Sequence, residues 1–157
     1  MSNSKTRFLW VDCEMTGLDE KTDHLLELAA LITDTEWNVL GTYETVIFLT
    51  PEVLENMNAW CKEHHGKSGL TAKVPHGKPL PLVEKDLIDF VNPFFSTEDR
   101  IVLCGNSIGN DRRFIDRYLP ELAKRLHYRM VDVSSFKEVF RECYGIQVKK
   151  SEAHRAL

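Results

Sequence analysis

A chain of 157 residues, 43% hydrophobic and 28% charged, suffices for one domain that buries roughly 70% of its unfolded surface. A formal net charge of −4 and a pI near 5.9 exclude the basic footprint with which proteins track long nucleic acids through counterion release, while leaving room for a short strand held by a few local contacts. No stretch approaches the ~20 apolar residues of a membrane span, and the opening MSNSKTRF has neither a signal-peptide core nor an Arg-rich amphipathic pattern, so a soluble, intracellular protein is expected.

In chain order, RFLWVDCE (7–14) is a nearly continuous apolar run ending in two acids, as expected of a central strand. LLELAALITDT (25–35) and LGTYETVIFL (40–49) complete a three-stranded meander, although LLELAALI alone suits a helix equally well. Thr50-Pro51 opens a helix whose periodic residues Val53, Leu54, Met57, Trp60, Cys61 and His64 run until Gly66 stops it. Residues 66–80 read as a loop, and Val83, Leu87, Phe90 and Val91 mark the next helix. IVLCG (101–105) is a short buried strand followed by a helix from near Asp111, with Phe114, Ile115 and Tyr118 on one face; Pro120 opens a further helical piece through Leu126. RMVDV (129–133) is a strand, Ser135 and Glu138 have capping-box spacing for a helix ending near Gly145, and SEAHRAL begins another helix. Strands in a meander followed by alternating helix and strand imply an α/β fold with a mixed sheet, three strands from the meander plus two more, flanked by helices. Cys13, Cys61, Cys104 and Cys143 are dispersed without a CxxC pair and read as reduced core thiols.

The chemistry centres on Asp12 and Glu14. Side chains alternate along a strand, so these carboxylates share a face while Cys13 points into the core. Two like charges at the edge of an apolar core repel and lose hydration, a conflict that a hard divalent cation such as Mg²⁺ or Mn²⁺ resolves. The same spacing occurs in Asp34-Thr35-Glu36, but in a polar stretch between strands, where a solvated turn is expected. Asp111, at a helix start beyond a buried strand, reads either as a third ligand or as an acid favoured by the helix dipole. His154 reads either as a surface histidine or as a general base, for which an unperturbed pKa of about 6.5 is suitable. Together the four fit a hydrolase holding two cations about 3.5–4 Å apart, one serving the attacking water and one the leaving oxygen.

Five blocks, VDCEMTGLD, WCKEHHGKSGL, GNSIGNDRRF, HYRMVDVSSFKE and SEAHRAL, together resemble the oligoribonucleases, members of the DEDD exonuclease superfamily with a catalytic histidine, in the same order from Arg7 to Leu157. The resemblance implies a ribonuclease-H-like fold, a homodimer, two Mg²⁺ or Mn²⁺ ions, and 3′→5′ hydrolysis of very short RNA, down to dinucleotides, to 5′-mononucleotides; a cytoplasmic location is expected, or a mitochondrial one if the source is eukaryotic. Asp12, Glu14 and Asp111 match three of the family's acids and His154 its general base. Leu18 matches a residue wedged between two bases, and Trp60 and His65 fall in the block lining the substrate pocket. Ser107, Arg129 and Ser134 match groups around the 5′ phosphate, and Tyr128 an aromatic contributed across the dimer interface. Taken without the resemblance, Leu18 and Trp60 read as core or core-edge residues, Ser134 as a helix cap and Arg129 as a surface charge.

The family's fourth acid lies five positions after its histidine, past Leu157, so residues 1–157 are expected to form a single exonuclease domain without its C-terminal helix. A DEDD exonuclease of broader DNA and RNA range is the alternative among enzymes. A non-catalytic module that binds short RNA or dimerises is the alternative outside them.

Overall fold

The computed structural model describes residues 6–147. Five strands form one sheet in the order β3-β2-β1-β4-β5. β1 (Phe8–Met15) pairs antiparallel with β2 (Leu25–Thr33), and β2 antiparallel with β3 (Val39–Val46). β4 (Ile101–Gly105) runs parallel to β1, and β5 (Leu126–Asp132) parallel to β4. The C-terminal ends of β1, β4 and β5 therefore share one edge of the sheet, where ligands bind in open α/β folds. On β1, Leu9, Val11, Cys13 and Met15 enter the core and Asp12 and Glu14 alternate out of it, as the pleat requires. LLELAALI is strand: its flanks are paired on both sides, and eight of its nine positions in β2 are buried.

The helices depart from the periodicity in informative ways. The single helix expected from Thr50 is two, α1 (Pro51–Glu55) and α2 (Ala59–Lys67). Extended backbone at Asn58 interrupts it, and the Asn58 side chain accepts the Cys61 backbone N–H at 2.9 Å, a local bond that competes with continuing the helix. Gly66 lies inside α2; the turn falls at Gly69, whose φ of 76° is left-handed. The expected loop over 66–80 contains α3 (Leu70–Lys73) and a 3₁₀ turn (Val74–His76), because Leu70 and Val74 pack with Leu26, Leu54, Met57 and Cys61 in a small second core.

α4 (Leu80–Val91) buries Val83, Leu87 and Val91 as expected; α5 (Ile108–Tyr118) begins three residues before Asp111; and α6 (Pro120–Arg125) starts at the predicted proline. These helices cover the main core, which includes Leu9, Leu28, Ile32, Leu103, Phe114 and Leu122. α7 (Val133–Tyr144) ends at left-handed Gly145, but its cap is Asp132, whose carboxylate accepts the Ser134 N–H; Glu138, expected in a capping box, pairs with Arg141 instead. Cys13, Cys61 and Cys104 are buried thiols, whereas Cys143 on α7 is exposed and not a core residue. No helix among the described residues is long and apolar enough to cross a membrane. The helix expected at SEAHRAL lies outside the described residues.

Candidate active site

Three of the predicted acids meet around the end of β1. Glu14 is half-buried and Asp12 exposed on the strand's outer face. Asp111, in the first turn of α5, is only 4% exposed and accepts the Cys13 backbone N–H through Oδ1 at 2.9 Å, tying α5 to β1 between the two other acids. Burial pushes the Asp111 carboxyl up to about 6; the Cys13 N–H opposes that rise and the charge of Asp12 adds to it. Burial, with the charges of Asp111, Asp12 and Glu14, likewise drives the Cys13 thiol well up, so all three carboxylates act on one point. Glu27 on β2, fully buried, stands across from Glu14 in the ladder, a fourth nearby acid that the strand's apolar context concealed. The control pair behaves as expected: Asp34 accepts the backbone N–H groups of Glu36 and Asn38 in an exposed turn.

An all-carboxylate donor set suits hard divalent cations, and the buried, raised carboxyl of Asp111 is the kind of group such a cation would hold in its charged form. Among the described residues no group of three or more His, Cys, Asp or Glu side chains is placed to hold a metal ion. Asp12, Glu14 and Asp111 converge around one strand end without forming such a group. His154 lies outside the described residues.

Beside Glu14 opens a cleft of about 520 Å³, lined by Cys13, Met15, Gly17, Leu18, Trp60 and His65 among others. Leu18 is 66% and Trp60 58% exposed, so neither is a core residue; Trp60 lies flat on His64 with ring centroids 3.8 Å apart. His65 lines the cleft but is buried, and its Nε2 donates to the Met15 carbonyl at 2.9 Å, pinning α2 to the end of β1. The Leu18 loop is built for rigidity. The Asp23 carboxylate receives Thr16 Oγ1 at 3.1 Å and the Asp19 N–H at 3.0 Å, and Tyr118 donates its hydroxyl to the Asp23 carbonyl. Arg113 reaches across from α5 to Glu20, the Leu18 carbonyl and Asn110.

Farther along the edge, the structure brings Ser107 and Ser134 together on a residue that the motif reading passed over. Asp132 Oδ1 accepts the Ser107 N–H at 2.9 Å, the Ser134 N–H at 2.8 Å and the Ser134 hydroxyl at 2.7 Å. Burial opposes ionisation of Asp132, but these bonds outweigh it and hold the carboxyl below its usual range. An Asp two residues before a Ser at a strand-to-helix junction is itself an N-cap signature, the signal that could have found it. Arg129 is not drawn to the serines; its guanidinium lies 5.2 Å over the ring of Tyr128, which is 74% exposed.

A five-stranded mixed sheet of this order, with acids at the end of its central strand and one from the following parallel unit, is a ribonuclease-H-like fold. That fold is shared with E. coli exonuclease I, solved in complex with a dT13 oligonucleotide, at a TM-score of 0.70 and 17% identity over 96% of this chain and 38% of that one; the same enzyme is also known in a zinc-bound form. The chain belongs to the exonuclease (RNase T) family, whose profile matches residues 9–157. Within it, the chain is similar to human mitochondrial oligoribonuclease, at 44% identity over 96% of this chain, and to the probable oligoribonuclease of Dictyostelium discoideum, at 47% identity over 96% of this chain and 81% of that protein. It spans 66% of the length of the human relative.

Proposed function

We propose that this protein is a 3′→5′ exoribonuclease that degrades very short RNA, down to dinucleotides, to 5′-mononucleotides with two Mg²⁺ or Mn²⁺ ions. The observation that carries the reading is the cleft in which exposed Leu18 and Trp60 face the same space as Glu14, so that base-stacking surfaces and the acidic strand end adjoin. Large apolar side chains left exposed in a rigid cleft match the flat faces of bases, which they bind without regard to sequence.

Asp12, Glu14 and Asp111 would hold the ions, which when bound supply positive charge at the scissile phosphate and favour ionisation of water. Leu18, on its braced loop, separates the two bases, and Trp60 stacks on one of them. His65 keeps the cleft wall in register through Met15. His154 takes the water's proton. Arg129, Ser107 and Ser134 hold the terminal 5′ phosphate and so measure length, because a longer strand must continue through that space. Since the ionised Asp132 has no proton to give, the Ser134 hydroxyl donates to it, and must exchange that partner to donate to a phosphate.

Homodimerisation is supported by α7, which buries none of its residues and exposes Phe136, Val139, Phe140 and Tyr144. Tyr128 and Met130 on β5 are exposed as well, and exposed large apolar side chains of this kind are what subunits cover. The names of the human and yeast relatives, both mitochondrial oligoribonucleases, support a mitochondrial site of action beside the cytoplasmic one.

The full-length protein should convert a 5′-phosphorylated diribonucleotide to mononucleotides in Mg²⁺, and EDTA should stop it. No turnover, or turnover indifferent to EDTA, would sink the reading. The exonuclease I fold favours one second reading, a broader-range nuclease that also trims longer DNA. Equal rates on a dinucleotide and a twenty-mer would support that one instead.

A further inference from the structure

Ser107 and Ser134 come from segments far apart in sequence: Ser107 ends the turn after β4, and Ser134 lies in the first turn of α7 after β5. β4 and β5 are parallel neighbours, with Gly105 in register with Asp132, so the two turns emerge side by side. Adjacency alone would leave their separation loose. One oxygen closes it, since Asp132 Oδ1 takes the backbone N–H groups of both Ser107 and Ser134, two ties that persist when the Ser134 hydroxyl, which also donates to it, turns to a phosphate. Ser107 must adopt left-handed backbone, with φ 55° and ψ 38°, which is uncommon for a residue other than glycine. An acceptor waiting for its N–H compensates that conformation. A second tie joins the same segments, with Lys137 Nζ donating to Asn106 Oδ1 at 2.8 Å.

We propose that Asp132 is a positioning residue for 5′-phosphate recognition, its carboxylate holding Ser107 and Ser134 at one fixed separation along the sheet edge. The inference rests on reading Ser107, Arg129 and Ser134 as the site of the terminal phosphate. Asp132, an anion, is a poor direct ligand for a phosphate. Its role is to hold the turn that carries Ser107 and the helix start that carries Ser134 as one rigid unit, so that the cost of ordering them is met in folding and not in binding.

The test compares full-length wild type, Asp132→Asn and Asp132→Ala on a diribonucleotide with a 5′ phosphate and on the same dinucleotide with a 5′ hydroxyl. The readout is the ratio of kcat/KM for the two substrates. In D132A the ratio should fall about tenfold or more, mainly through KM of the phosphorylated substrate, as expected for losing a charge-assisted hydrogen-bond hub. D132N keeps an acceptor of the same shape without the charge and should lie between the two. Should D132A not fold, D132N carries the comparison: a partial fall in its ratio supports the role, and a ratio equal to the wild type's overturns it. Equal losses on both substrates, or D132N no better than a folded D132A, also overturn it in favour of a purely structural part. A wild type indifferent to the 5′ phosphate overturns the end-phosphate site itself, and this role with it.

Discussion

Asp111 is where the cost of the acidic site is most concentrated. Its carboxyl is raised from an ordinary value near 3.8 to about 6 by burial, so the folded state holds its proton in a range where the unfolded chain has released it. Stability from this group is therefore fully present below the unfolded value and is lost as pH rises through the folded one, the reverse of a salt-bridged aspartate. In EDTA the wild type should lose up to about 3 kcal/mol between pH 4 and pH 7 relative to Asp111→Asn, and Mg²⁺ should restore most of it. Urea midpoints across that range measure this, and parallel curves for the two proteins would remove Asp111 as the source. On the stacking role proposed for them, Leu18→Ala and Trp60→Ala should each raise KM for a dinucleotide by one to two orders of magnitude, from ~1–3 kcal/mol of stacking per base, with a smaller effect on kcat. Fluorescence titration of a labelled dinucleotide separates the two effects; unchanged affinity would return both side chains to a passive role.

The element that decides whether Leu18 acts as a wedge is the loop over residues 16–24. At Gly17 a Cβ would stand 2.3 Å from Asp23 Oδ2 and 2.6 Å from its Cγ, so only glycine lets the carboxylate close on Thr16 and Asp19. Gly17→Ala should therefore break one or both of those bonds, each worth about 1.5–3 kcal/mol to a charged acceptor, lower the melting temperature and loosen dinucleotide binding together. Calorimetry and KM on the same preparation check the coupling. A variant with lower stability but wild-type KM would show that the loop's rigidity does not serve the site. Pro120 and Gly145 punctuate helices where the sequence says they do, because their effect is local and steric. The break at Asn58 and the helix over residues 70–73 were not legible, since a side-chain cap and a second core of residues from β2, α1, α2 and α3 set those boundaries.

For the whole molecule, the exposed apolar face of α7 gives the clearest test. Phe140→Glu places a charge in the middle of that face and should convert a dimer to a folded monomer, read by light scattering with an unchanged circular dichroism spectrum. If Tyr128 serves the neighbouring subunit's cleft, the monomer should also lose most of its dinucleotide activity. Wild type that is already monomeric at micromolar concentration overturns the dimer reading.

What the sequence determined by itself was the five strands, the helix starts at Pro51 and Pro120 and the paired acids on one face of β1, because alternation and proline act over a few residues. It also carried the family, through short blocks in order. Tertiary structure alone decided that Asp111 is buried against Cys13, that Leu18 and Trp60 face one cleft and not the core, and that Ser107 and Ser134 meet on Asp132. The first and last depend on parallel pairing of β1, β4 and β5, the second on α2 docking at the end of β1 through His65, and such long-range packing is encoded by no local pattern.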